Sequence, residues 1–131
     1  MRMADDILLP HVRAALIKEG WQVKKKAFSV RDSGYQFFID VEAERDGQWI
    51  AVEVKSWQNT FNADWYQALG QYLTYQDVLR RKAPDVELFL AVPVEVYDEH
   101  FKTPLIQNLI TKHLVKLLIF NWDTNSVTAW Q

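Results

Sequence analysis

The sequence predicts one α/β domain over residues 1–131, a mixed sheet flanked by helices on both faces. Three observations carry that prediction. A chain of 131 residues buries roughly two thirds of its unfolded surface in one core and leaves no room for a second domain. Hydrophobic residues at 49% and charged residues at 24% match soluble globular proteins and exclude disorder, collagen-like repeats and simple coiled coils. Helical and strand periodicities follow one another in the order αβββαβαββ, with no internal repeat, low-complexity tract or linker.

The first helix is expected from Asp5 to Glu19, where Ile7, Leu8, Val12, Ala15 and Leu16 recur at helical spacing and Gly20 follows as a stop. Trp21 to Val30 alternates apolar and basic residues around Lys24, Lys25 and Lys26, as a strand near a sheet edge does, and Asp32, Ser33 and Gly34 make a turn. Tyr35 to Arg45 and Gln48 to Trp57 are rich in β-formers. Between them stands Asp46-Gly47, whose tolerance of positive φ suits a tight hairpin turn. Ala63 to Lys82 is periodic through Trp65, Leu69, Tyr72, Leu73, Gln76 and Leu79, and Pro84 ends that helix. Val86 to Val94 is nearly all apolar, as a strand covered on both faces requires, so helix and strand together read as a crossover. Glu95 to His113 reads as one or two short helices broken near Pro104. A strand at Val115 to Asn121, a turn at Asp123 to Asn125 and a strand at Ser126 to Trp130 complete the chain.

Composition narrows the chemistry. Without cysteine there is no disulfide scaffold, thiolate metal site or cysteine nucleophile. A formal charge of −2 excludes global electrostatic capture of nucleic acid, so any basic footprint is local, at Lys24 to Lys26 with Arg31 or at Arg80-Arg81-Lys82. Six Trp, five Tyr and seven Phe exceed what a core this size needs, and an aromatic interface, hence an oligomer, is expected. The Trp57, Phe61, Trp65 and Tyr66 group fits core closure and interface better than a DNA-facing lip. No apolar run approaches the roughly 20 residues of a membrane span, and Met1 to Lys18 carries acids and lacks signal-peptide features, so the expected location is cytoplasmic. His11, His100 and His113 have no neighbour at metal-ligand or triad spacing, and no Gly-rich phosphate loop or nucleophilic serine motif occurs.

The hairpin concentrates the interest. With Asp46 and Gly47 as the two loop residues, Arg45 lies opposite Gln48 and Asp40 opposite Glu53. Alternation then puts Asp40, Glu42 and Glu44 on one face with Trp49, Ala51, Glu53 and Lys55, while Ile39, Val41, Ala43, Ile50, Val52 and Val54 form the other, apolar face. Directly opposed carboxylates repel, so a cation belongs between them. Lys55 partly meets that need. Two carboxylates converging with a backbone carbonyl also match the hard oxygen ligation of Mg²⁺. A metal site with a lysine beside it and a merely solvated acidic hairpin face both fit the pattern.

Ile39-Asp40, followed on the next strand by Glu53-Val54-Lys55, resembles the Asp…(Asp/Glu)-x-Lys core of the restriction-endonuclease-like superfamily, with its αβββαβ order. Over nearly the whole chain the match is closer. Ala15-Leu16-Ile17-Lys18-Glu19-Gly20-Trp21, Phe38 to Arg45, Ile50 to Ser56, Ala68-Leu69-Gly70-Gln71-Tyr72, Leu88 to Pro93 and the Pro104-Leu105-Ile106 region resemble the XisH family, known from cyanobacteria as fdxN-element excision-controlling factors. The superfamily pattern implies that Asp40, Glu53 and the Val54 carbonyl bind Mg²⁺ or Mn²⁺, and that Lys55 orients the attacking water and offsets developing charge. It further implies that a glutamine of the long helix stands near the metal; Gln67 and Gln71 lie there at i and i+4 and Gln71 is the candidate, with Gly70 easing the approach of helix to sheet, while helix packing explains Gly70 equally well and Gln71 could instead cap a strand edge. Glu19 or Asp6 on the first helix would be an additional acid, although a solvent-facing role suits either better. Ile39 stands where superfamily nucleases often have proline, which alters strand geometry and not ligand chemistry. The expected activity is metal-dependent hydrolysis of DNA in element excision, with a XisI protein as partner. The alternative is a non-catalytic accessory factor that binds DNA or a recombinase.

Overall fold

The structure, a computed structural model, describes residues 7–131. Helix α1 spans Leu9–Lys18 and buries Val12, Ala15 and Leu16. Pro10 sits in its first turn, where a missing N–H costs no intrahelical bond. Asp5 and Asp6, the expected start of that helix, lie outside the described residues.

The expected strand from Trp21 to Val30 divides in two. Gln22–Val23 (β1) pairs antiparallel with the main sheet, and Phe28–Asp32 (β2) pairs instead with Tyr35–Ile39 (β3) as a separate two-stranded arm. Three consecutive lysines explain the split, because no register lets all of Lys24, Lys25 and Lys26 avoid the buried face, and all three are exposed outside the strands. The expected run from Tyr35 to Arg45 also divides, with Asp40 as a bend between β3 and β4 (Val41–Arg45).

Strand β4 pairs antiparallel with β5 (Gln48–Val54), and the predicted register is found, with Arg45 against Gln48 and Val41 against Val52. Asp46 and Gly47 take φ of 52° and 82°, the two positive values that a twist-matched two-residue turn demands. Helix α2 (Phe61–Lys82) then crosses to β6 (Val86–Pro93), which runs parallel to β5. A single turn, α3 (Val94–Val96), continues into a π-turn at Tyr97–Phe101, and α4 (Pro104–His113) leads to β7 (Leu117–Asn121), parallel to β6. Strand β8 (Ser126–Trp130) closes the six-stranded sheet, whose order is β1-β4-β5-β6-β7-β8. Among main-sheet strands the sequence α1-β1-β4-β5-α2-β6 is the expected αβββαβ, with the β2–β3 arm interposed.

The sheet separates two cores. Val41, Ala43, Ile50, Val52 and Val54 pack with Val12 and Leu16 of α1. Ala51, Leu88, Leu90 and Val92 pack with Trp65, Ala68, Tyr72 and Leu79 of α2 and Ile106 of α4. Ile39 belongs to this second core, although alternation along an unbroken strand would place it with Val41; the bend at Asp40 turns it over. Tyr72 fixes α2 across the parallel strands. Its hydroxyl donates to the Leu88 carbonyl (3.0 Å) and accepts from the Lys116 N–H (2.9 Å), and burial raises its pKa to about 12. The arm is tied to the end of α2 by Arg81, whose two Nη atoms each donate to Asp32 at 2.9 Å, and by Phe37 set edge-on to Tyr75. No helix among the described residues is long and apolar enough to cross a membrane.

Candidate metal centre

Two-residue hairpins place hydrogen-bonded pairs next to the turn and at every second position beyond it, so the ladder of this one bonds Arg45 with Gln48, Ala43 with Ile50 and Val41 with Val52. Continued, it would bond Ile39 with Val54. The chain leaves the sheet at Asp40, and the Val54 N–H loses that acceptor. Asp40 replaces it: its Oδ2 accepts from the Val54 N–H at 2.8 Å. The bend therefore persists because a side chain completes the ladder that the backbone abandons.

Glu53 follows Val52 on β5 and Asp40 precedes Val41, so each stands one step beyond the last pair of the ladder, Val41 with Val52. Glu53 shares the α2 face of β5 with Ala51, and so does Lys55 just past the strand. An exposed acidic hairpin face is thereby excluded: Asp40 is 5% exposed, Glu53 2% and Lys55 5%. Burying these groups in low dielectric is costly unless opposite charge or strong hydrogen bonds compensate. Backbone N–H and C=O of one extended residue point to the same side, so the Val54 carbonyl opens on the edge where its N–H meets Asp40. Asp40, Glu53 and the Val54 carbonyl thus supply only hard oxygen donors, a set that fits Mg²⁺ or Mn²⁺.

Lys55 Nζ donates to Oε1 of Gln67 on α2. Gln67 is the i−4 neighbour of Gln71, the glutamine expected near the site. Gln71 lies one turn further along the same helix, with its Oε1 buried and no hydrogen-bond partner among the described residues. Spacing cannot separate two glutamines four residues apart; only the path of α2 over Lys55 does. Asp64, 1% exposed, is a residue the sequence reading did not single out. Its carboxylate accepts from the backbone N–H and the Nδ2 of Asn59 (3.0 and 3.1 Å) at the start of α2, and so holds the 55–60 segment to the helix. The one available signal was an acid in the first helical turn. Within that segment Trp57 has φ of 57°, a left-handed conformation uncommon for a bulky residue, and its ring stacks on Phe61 and meets Phe101 edge-on. Trp57, Phe61 and Trp65 form the core closure expected of that group, and Tyr66 is exposed.

Other candidates lie elsewhere. Glu19 accepts from Trp130 Nε1 (3.2 Å), beside the core under α1, and does not join Asp40 and Glu53. Asp6 lies outside the described residues. Of the basic clusters, Arg81 is engaged by Asp32 and Asp77, and Lys24 stands over the Trp49 ring. His11 bonds Asn125 and His100 stacks on Phe61, structural roles consistent with the absence of ligand spacing.

Fold and site together define a mixed α/β protein that carries a buried Asp–Glu–Lys set where its antiparallel hairpin meets its parallel strands. The chain belongs to the XisH family, whose model, described as XisH protein, matches residues 2–128. An fdxN element excision controlling factor protein from Anabaena variabilis is 34% identical, with a TM-score of 0.90 over 95% of this chain and 98% of that one. An XisH family protein from Nostoc punctiforme is 33% identical, with the same TM-score and coverage. No curated protein matches the chain.

Proposed function

We propose that this protein acts on DNA in the excision of a genetic element, and that the Asp40, Glu53 and Lys55 site hydrolyses a phosphodiester bond with Mg²⁺ or Mn²⁺. The observation that carries this reading is the burial of two carboxylates and a lysine together at one strand end, an arrangement that costs stability and is hard to account for by packing alone. In it Asp40, Glu53 and the Val54 carbonyl hold the ion. A bound divalent ion supplies a water of lowered pKa and polarises the phosphoryl oxygen. Lys55, set in place by Gln67, orients the attacking water and stabilises the charge that builds on the phosphoryl oxygens. Gln71, its buried Oε1 on the same flank of α2, is assigned to water or substrate positioning beside them. A net charge of −2 gives one copy a weak grip on DNA, so the working form includes a second copy or a XisI partner.

The same burial favours a second reading, in which the nuclease-like site stays closed and the protein steers a separate recombinase as an accessory factor. The deciding experiment incubates plasmid and branched DNA with Mg²⁺ or Mn²⁺, with and without XisI, using the parent and Lys55→Ala. Cleavage by the parent that Lys55→Ala reduces at least a hundredfold supports the enzyme. No cleavage by the parent under any of these conditions supports the accessory factor.

A further inference from the structure

We propose that the outer face of the β2–β3 arm, with the lysines at its base, binds duplex DNA by entering the major groove. The inference rests on the proposed action on DNA and names the surface that holds the substrate there. Phe38 precedes Asp40 by two residues, about 7 Å of extended chain, so a duplex held by the arm is held beside the proposed hydrolytic site.

Charge comes first. The Lys24 N–H donates to the Glu42 carbonyl (2.8 Å) and Phe28 pairs with Ile39, so Lys25, Lys26 and Ala27 pass alongside Val41 and Asp40. Lys24, Lys25, Lys26 and Arg31 are all exposed, and none of the four forms an ion pair among the described residues. From residue 24 to residue 39 the one acid is Asp32, already bound by Arg81 (2.9 Å) and Lys82 (3.8 Å). The basic cluster at the end of α2 is thereby spent, Arg80 apart, whereas the lysine run is not. A chain of net charge −2 thus carries a local basic stretch that attracts a polyanion.

The pairing of β2 with β3 then sorts the side chains of the arm. Phe28, Val30 and Asp32 share the inner face with Tyr35, Phe37 and Ile39, where Phe37 meets Tyr75 and Asp32 meets Arg81 of α2. Ser29, Arg31, Gln36 and Phe38 form the outer face, and all four are exposed. Arg31 Nη1 donates to Gln36 Oε1 (3.4 Å) and Gln36 Nε2 to Ser29 Oγ, so three hydrogen-bonding side chains lie side by side on it. A two-stranded ribbon is one of the two shapes that the major groove admits. Arg, Gln and Ser are side chains that pair with base edges there, and an aromatic ring meets the thymine methyl. An acidic protein surface calls for cations across the whole face. Here one guanidinium stands among uncharged donors and acceptors, which suits bases, and the remaining charge lies at the base of the arm, where it suits phosphates.

Fluorescence anisotropy of the full chain with a labelled duplex and with its separated strand, in EDTA so that no metal-dependent hydrolysis intervenes, tests the assignment. The duplex is expected to bind at least tenfold more tightly than the strand. Lys25→Ala/Lys26→Ala should raise the duplex Kd at least tenfold and flatten its salt dependence by about two phosphate contacts, while Arg80→Ala leaves both unchanged. The same duplex carrying glucosylated hydroxymethylcytosine, whose sugars fill the major groove, should bind at least tenfold more weakly. Tighter binding of the single strand, equal affinity for the glucosylated duplex or parental affinity in Lys25→Ala/Lys26→Ala overturns the proposal. So does a Phe38→Ser variant that loses oligomeric mass but keeps the parental duplex Kd, which assigns the face to a protein contact. Duplex binding that needs the lysines, without cleavage once Mg²⁺ is added, supports the arm and counts against the hydrolytic reading; cleavage untouched by these substitutions does the reverse.

Discussion

Asp40 has a structural duty besides its proposed one, since its Oδ2 accepts from the Val54 amide, next to Glu53 in the chain. Asp40→Ala leaves that N–H buried without an acceptor and is expected to cost about 1–3 kcal/mol by chemical denaturation. Asp40→Asn, which keeps a carbonyl oxygen of similar reach, should lose much less. Glu53 supports a different measurement. If a divalent ion reconciles the facing acids, Mg²⁺ raises the melting temperature of the parent by binding only the folded state. Glu53→Gln relieves the repulsion and weakens the site, so it should be as stable as the parent without metal and gain little when Mg²⁺ is added. Equal Mg²⁺ shifts in both proteins, or none in the parent, would refute this. The bend at Asp40, which sends Ile39 to the other core, was not legible in alternation, whereas the shared face of Glu53 and Lys55 was, because the two-residue turn fixes the phase of β5. The partner of Lys55 was not, because Gln67 and Gln71 lie on one flank of the helix and the sequence does not say which turn passes over the lysine.

The arm and the long helix are held by contacts that no local pattern announces. Asp32 and Arg81 are 49 residues apart, and their paired hydrogen bonds hold the Asp32 carboxyl at a pKa of about 2. That is below the ~3.9 of an unfolded aspartate, so its stabilisation is complete above pH ~4 and is lost as pH falls toward 2. A melting-temperature profile from pH 5 to pH 2 should therefore decline more steeply in the parent than in Asp32→Asn, and high salt should narrow the difference because the pair is solvent-accessible. Tyr72→Phe removes the bridge between the Leu88 carbonyl and the Lys116 N–H and is expected to cost roughly 1–3 kcal/mol, with little change in any cleavage activity. The β4–β5 hairpin could be read to the residue, since Asp46-Gly47 permits one turn geometry. The β2–β3 arm could not, because its residues alternate as well as those of any main-sheet strand and only the lysine run hinted that the chain leaves the sheet.

Two cores back to back on one sheet account for the mixed pattern of β5, which sends Ile50, Val52 and Val54 to one side and Ala51 and Glu53 to the other. The aromatic surplus is only partly absorbed there: Tyr35, Phe38 and Tyr66 are 67%, 56% and 70% exposed. Such rings on a small acidic protein fit an assembly. Light scattering is expected to give at least twice the 15.4 kDa monomer mass, alone or with XisI, and a monomer unchanged by the partner would count against it. The fold class was legible because the αβββαβ order survives the interposed arm, whereas the curl that brings Trp130 within 6.0 Å of Trp21 depends on strand twist and leaves no trace in periodicity. The break at Asp40 also limits how this architecture can decay by descent. If the site hydrolyses DNA as proposed, a lineage that loses that activity can replace Lys55 with few consequences for the backbone, but position 40 must keep an acceptor for the Val54 amide. Inactive descendants should therefore hold Asp or Asn there long after the lysine has drifted, so the acid by itself would be a poor marker of a living enzyme.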